Sequence, residues 1–223
     1  MKSAHSKISG KNRSVLHRKE REKQMRQREI LGSARELFLQ KGYHNTTLEE
    51  IALHAEFGKG TIYNYFSSKE ELFYGMLDAQ IEEIHKAAES SINPPGDVRS
   101  KFTDYAKRIV SYAEVNSDIL QLVVREMHSL NSPNSDARLR NLKRRYTNVM
   151  HMLAKLIADE IEEKRIRKLD SLKLATLFQS MVQFVCINRF GPHRLEKVDN
   201  MDDEVALIVS VFFDGISEPK PEG

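Results

Sequence analysis

Two helix-opening signals, Thr47-Leu-Glu-Glu50 and Ser68-Lys-Glu-Glu71, constrain this chain more than any other feature, because both have the spacing of a capping box. In such a box the Ser or Thr side chain accepts from the amide three residues on, and the Glu carboxylate returns a bond to the capping residue's own amide. A helix therefore starts at each signal, and only short elements fit between them. Leu48, Ile51 and Ala52 lie on the inner face of the first helix. The pattern breaks at Ala55-Glu56-Phe57-Gly58 and resumes at Lys59, which leaves space for one very short helix before Ser68. From the second signal Leu72, Phe73, Met76, Leu77, Ile81 and Ile84 keep helical spacing, so a long helix runs to about Ser90.

Upstream, Ile30, Ala34, Leu37 and Phe38 recur at helical spacing, and Gly42 follows Lys41 where a left-handed cap favours glycine. Residues 1–12 show no apolar periodicity, so disorder is expected there. Downstream, Asn93-Pro-Pro-Gly96 cannot continue a helix. Helical patterns then cover Val98–Val115, Ile119–Leu130, Ala137–Lys164, Leu172–Ile187 and Glu204–Ile216, separated at Ser132-Pro133-Asn134 and Gly191-Pro192. No segment alternates like a strand between hairpin turns, and no repeat of solenoid length occurs. The expected fold class is all-α, with two domains in 223 residues.

Charge distinguishes the two ends of the chain. The first 28 residues hold ten Lys and Arg against only Glu20 and Glu22, whereas the remainder is net negative. A basic head on an acidic body suits a polyanion partner at one end. Cys186 is the only cysteine, which excludes an internal disulfide framework and a multi-thiolate metal site, and suits a reducing, cytoplasmic setting. No apolar segment follows the N-terminal charges and no run of about eighteen apolar residues occurs, so neither secretion nor membrane spanning is expected.

Two short helices joined by a tight turn can read DNA, because the second lies in the major groove while the first braces it. Here Ala52 is the small residue at the crossing, with Leu48, Ile51, Phe57 and Ile62 filling the space between the helices. Ala34-Arg-Glu-Leu-Phe38, Lys41-Gly-Tyr43, Thr46-Thr-Leu-Glu-Glu-Ile-Ala52, Lys59-Gly-Thr-Ile-Tyr-Asn-Tyr-Phe66 and Ser68-Lys-Glu-Glu-Leu72 together resemble the TetR-family DNA-binding domain. The resemblance covers about residues 24–84, with the helix-turn-helix at 47–66. It implies a three-helix DNA-binding domain and an effector-binding and dimerisation domain over 85–223, reached through the long helix; residues 1–23 are expected, from charge and composition, to be a basic, flexible arm.

By position, the resemblance implies that Thr47 donates to a phosphate, and that Lys59, Gly60, Thr61, Tyr63 and Asn64 face the groove. Tyr65 and Lys69 are then further phosphate contacts. The chemistry agrees: Gly60 lets the backbone approach the duplex, Tyr63 offers a flat face to thymine methyls, and Lys69 sits at a helix N-terminus that already favours anions. One departure is Glu56, which occupies a turn position that such motifs often give to glycine; a non-glycine residue held left-handed there costs roughly 1–2 kcal/mol.

Other signals carry less. Glu82-Glu-Ile-His85 has the spacing of a carboxylate di-metal helix but lacks the second copy such sites need, so no metal and no cofactor are expected. Cys186 and Met181 read as core. No Ser/His/Asp ordering, phosphate loop or His-Glu-x-x-His motif supports an enzyme. Phe102, Tyr105, Met127, Met150 and Met152 are candidates to line an adaptable apolar cavity, with Arg125 placed to meet an anionic group. The expected partners are double-stranded operator DNA, a small, largely apolar effector, and a second copy of the chain through 172–187 and 204–216. On the last helix Leu207, Ile208, Val211, Phe212 and Ile216 leave little polar surface for a monomer to expose. The competing reading is a helical enzyme or small-molecule carrier whose basic N-terminus is incidental.

Overall fold

The computed structural model describes the backbone of residues 4–126, 136–191 and 200–216 and the side chains of residues 18–124, 140–191 and 200–216. Nine helices and no strand occur among these residues: α1 (Ala4–Lys41), α2 (Leu48–His54), α3 (Lys59–Tyr63), α4 (Lys69–Ile92), α5 (Val98–Val115), α6 (Ser117–Glu126), α7 (Asp136–Glu162), α8 (Ser171–Phe190) and α9 (Met201–Ile216). Among them, none is long and apolar enough to cross a membrane. The chain divides into two compact units, Met1–Met76 and Leu77–Gly223, so the division falls inside α4 rather than at 84/85.

The first unit is built around the C-terminal third of α1. Ile30, Ala34, Leu37 and Phe38 are buried at the expected spacing, and α2 packs against both α1 and α3. Gly42 ends α1 with φ +83°, and its amide donates to the Phe38 carbonyl at 3.0 Å. Tyr43 then turns inward and packs on Phe38 and Phe73 at ring separations of 5.2 and 5.5 Å. The hydroxyl of buried Thr46 donates to the Gly42 carbonyl at 2.9 Å, which satisfies the turn from inside.

The arm expected to be flexible over residues 1–23 is instead helical from Ala4 onward. From Arg18 on, its Lys, Arg and Glu residues are good helix formers, and no proline interrupts the run. From Arg18 to Glu29 all residues but Gln27 are exposed.

In the second unit α7 packs on α8, and α5 on both α8 and α9. Phe102 of α5 sits at the centre of an aromatic cluster, 4.8 Å from Phe178, 5.3 Å from Phe213 and stacked 6.1 Å from Phe212. Each such ring contributes about 1.5–3 kcal/mol by leaving water. Aspartates open two of these helices: Asp97 accepts from the Ser100 amide at 2.9 Å and Asp170 from the Lys173 amide at 3.0 Å. At the end of α8 a Cβ on Gly191 would lie 2.3 Å from the Ile187 carbonyl oxygen, so no larger residue fits that cap.

Candidate nucleic-acid interface and cavity

The first capping box forms as the sequence predicts. The Glu50 amide donates to Thr47 Oγ1 at 3.2 Å, and the Thr47 amide donates to Glu50 Oε2 at 2.9 Å. The Thr47 hydroxyl donates to that same oxygen at 3.1 Å, so the group expected to reach a phosphate already has an acceptor. Lys41 adds a 2.8 Å bond to the other Glu50 oxygen. Lys41 first, and then the Thr47 amide and hydroxyl, pull the Glu50 carboxyl down to about 2.

The turn after α2 places Glu56 at φ +57°, in the left-handed region where the sequence locates a non-glycine residue. The amide of Phe57 closes it on the Ala52 carbonyl at 2.9 Å. Ala52 and Ile62 are buried between the helices, and α3 emerges with Lys59, Gly60, Tyr63 and Asn64 exposed, while Thr61 and Tyr65 are half-buried. A Cβ on Gly60 would meet nothing within 4 Å, so packing inside the chain does not require glycine there.

The exposed groups of α3 are held by a residue that the sequence reading left out. Glu49 Oε1 accepts from the Tyr63 hydroxyl at 3.1 Å and pairs with the Lys59 ammonium at 2.8 Å. Lys59 and Tyr63 accordingly hold the Glu49 carboxyl below its usual range, and the carboxylate raises both partners. The signal was available: Glu49 lies in the first turn of α2, on the side of the motif that carries Lys59.

Lys69 is engaged otherwise than expected. Its ammonium donates to the carbonyls of Tyr43 at 2.6 Å and His44 at 3.1 Å and lies 4.6 Å from the Tyr43 ring centre. It thereby ties the start of α4 to the α1–α2 turn. The second capping box is also shifted by one residue. The Glu71 amide donates to Ser68 Oγ at 3.2 Å, but the Glu71 carboxylate takes the amide of Ser67 at 2.6 Å, not that of Ser68.

The second unit holds an apolar cavity of about 360 Å³ between α4, α5, α6, α7 and α8. Leu77, Ile81 and Ile84 form one wall, and Ile109, Ile119 and Leu142 form others. Of the residues expected to line such a cavity, Phe102, Tyr105 and Met150 are instead fully packed core. They sit one layer behind, because α5 turns Phe102 and Tyr105 toward α8 and α9, and α7, packed on α8, turns Met150 into the buried cluster. The side chains of Arg125 and Met127 lie outside the described residues.

Cys186 reaches the cavity wall, and burial pushes its thiol up to about 12, so it behaves as an apolar group rather than a nucleophile. His85 Nδ1 lies 3.7 Å from Glu89, and Glu82 is paired with Arg145. Among the described residues no three His, Cys, Asp or Glu side chains could hold a metal together.

On α8 and α9, Ile208, Phe212 and Ile216 are buried within the chain's own core, a correction to their expected place at a subunit contact. The apolar side chains left exposed are Leu177, Phe184 and Ile187 of α8 and Leu207 and Val211 of α9.

Comparison with known proteins agrees with this geometry. Residues 30–76 match the family described as bacterial regulatory proteins, tetR family. The chain is 39% identical over 69 residues to the HTH-type transcriptional regulator YhgD of Bacillus subtilis (strain 168), a match that covers 31% of this chain and 36% of that one. To the HTH-type transcriptional regulator YfiR of the same organism it is 26% identical over 164 residues, covering 71% and 77%. The chain thus spans about a third of the first relative and about three quarters of the second. The fold is similar to the fatty acid degradation regulator FadR from Bacillus halodurans, with a TM-score of 0.66 at 19% identity over 85% of this chain and 95% of that one.

Proposed function

We propose that this chain, a DNA-binding transcriptional regulator that belongs to the tetR family of bacterial regulatory proteins, is a repressor that leaves its operator when a small, largely apolar molecule enters the cavity of the second unit. The observation that carries the reading is α3, a short helix braced by α2 that presents Lys59, Gly60, Tyr63 and Asn64 to solvent. Phosphate contacts position such a domain, and the side chains of its second helix select bases.

Homodimerisation is the second part of the proposal. Leu177, Phe184 and Ile187 on α8, with Leu207 and Val211 on α9, give two neighbouring helices an apolar outer stripe, and α8 packs on α9. A second copy supplies the same stripe, as an isologous contact requires.

Control would pass through α4. Its first turns contribute Leu72, Phe73 and Met76 to the core of the first unit, and its later turns give Leu77, Ile81 and Ile84 to the cavity wall. A ligand that shifts this helix changes the spacing of the two reading helices in a dimer, and a differential preference of roughly 1–3 kcal/mol shifts affinity some 5–150-fold.

A gel shift on the protein's own promoter region, run with and without a ligand found by thermal-shift screening, tests the reading. Retarded DNA that the ligand releases is the expected result. A ligand whose affinity is the same with and without operator DNA would instead identify a carrier.

A further inference from the structure

Gln179 of α8 is fully buried, lines the apolar cavity, and has one end of its amide unused. Its Oε1 accepts from the hydroxyl of Tyr105 at 2.5 Å, while its Nε2 makes no hydrogen bond to the protein. The orientation of the amide follows from Tyr105. That phenol is also fully buried, Gln179 is its hydrogen-bond partner, and its hydrogen needs an acceptor, which only the carbonyl end of the amide provides. Burial first, and then the neighbouring Tyr146 and Cys186, keep the phenol protonated by raising its pKa, so it remains a donor. The nitrogen is therefore the end left over, on the helix face where Gln183 and Cys186 also line the cavity.

A buried amide N–H without an acceptor is costly, and native proteins retain such groups mainly where a ligand or ordered molecule supplies the partner. From this we infer that the molecule taken up by the cavity carries an uncharged hydrogen-bond acceptor, a ketone, ester or ether oxygen, that meets Gln179 Nε2 while its apolar body lies against α4 and α6. The inference rests on the effector reading of the cavity and adds the chemical class of the effector. A carboxylate fits the buried end poorly, because one neutral amide does not replace the hydration of an anion, and among the described residues of the wall Lys143, the one lysine or arginine, is exposed. The acidic group that the sequence suggested for the effector is thus not placed at this end.

The test compares three molecules of one shape on the full-length protein by fluorescence titration: 2-acetonaphthone, its alkene isostere 2-isopropenylnaphthalene, and 2-naphthoate. The ketone is expected to bind the wild type about 3–10-fold tighter than the alkene, the range of one net neutral hydrogen bond, and tighter than the carboxylate. In Gln179→Met, which keeps the volume and removes the amide, ketone and alkene are expected to bind alike. Tyr105→Phe, which releases the amide to turn, is expected to shrink the preference as well and guards against a misfolded Gln179→Met. Equal binding of ketone and alkene to the wild type, tightest binding of naphthoate, or a ketone preference that survives in a folded Gln179→Met overturns the Gln179 assignment and leaves the effector reading intact. If none of the three binds the wild type, the effector reading falls and this inference with it.

Discussion

The hydroxyl of Tyr63 donates to Glu49 at 3.1 Å, on the same carboxylate oxygen that the Lys59 ammonium approaches at 2.8 Å. An acidic side chain thus holds two exposed groups of α3, and DNA read by this helix would have to compete with it. Glu49→Gln is expected to tighten operator binding about 2–5-fold, the scale of one exposed ion pair. Tyr63→Ala is expected to weaken it roughly tenfold or more. Fluorescence anisotropy with labelled operator measures both, and a Glu49→Gln protein that binds no better than wild type would show that the contact does not oppose DNA.

Lys59 and Lys69 are expected to separate in their salt dependence. Lys59→Ala should weaken operator binding and lower the slope of log affinity against log salt by up to about one unit, because it removes one cation from the groove-facing surface. Lys69→Met removes the ties to the Tyr43 and His44 carbonyls, so its effect should appear as a lower melting temperature with the slope unchanged. A reduced slope in Lys69→Met would return that residue to the phosphate contacts.

The Glu50 cap makes the first unit sensitive to acid. Its carboxyl, normally near 4.5, is held at about 2 in the folded chain, with Lys41 the main cause. The carboxylate's contribution is therefore complete above about pH 4.5 and is lost as the pH falls through about 2. Glu50→Gln should melt lower than wild type at neutral pH and close that gap between pH 4.5 and 2. Thermal melts followed by circular dichroism across this window check the sign; a gap that widens in acid contradicts it.

Exposed and buried apolar residues on α8 and α9 are expected to fail in different ways. Phe184→Glu or Leu207→Glu should give a folded monomer in sedimentation equilibrium, because both side chains are exposed. Phe212→Ala should destabilise the fold by about 3–5 kcal/mol, because its ring packs on Phe178, Phe102 and Phe213. Dimers that persist in both charged variants would place the subunit contact elsewhere.

Gly75 lies in α4 where a Cβ would come within 3.1 Å of Leu31 Cδ2 and 3.5 Å of Phe66 Cε1. Leu31 is only half-buried and can turn aside. Gly75→Ala should therefore recover much of the roughly 1 kcal/mol that glycine costs a helix, whereas Gly75→Val should meet buried Phe66 and destabilise the fold. Urea unfolding of the pair measures the two signs.

The local devices could be read from the chain because each depends on residues only a few positions apart. Gly42 at φ +83°, Glu56 at φ +57°, the Thr47 box and the bounds of α5 all stand where the sequence puts them. The Ser67–Glu71 bond did not, since a box shifted by one residue keeps the same polar pattern. The cavity was harder still. Five helices enclose it, and Ile81 or Leu142 facing a void has the same helical period as Phe102 facing a packed ring. Gln179 carried a sequence signal for it, a polar residue whose helical neighbours Ala175, Val182 and Cys186 are apolar. The helical state of the arm was missed because a lack of apolar periodicity shows only that nothing packs there, not that the backbone is irregular.

Helix α1 carries a further consequence. Between Arg18 and Glu29 almost every side chain is exposed, whereas from the next residue onward Ile30, Ala34 and Phe38 are completely enclosed. Its hydrogen-bond ladder is continuous, yet the free energy of opening a single peptide group must climb along it, from near zero at the solvated end to that of global unfolding beside Phe38. Amide deuterium uptake would thus run through its whole range, from seconds to the slowest protons of the unit, within one uninterrupted helix.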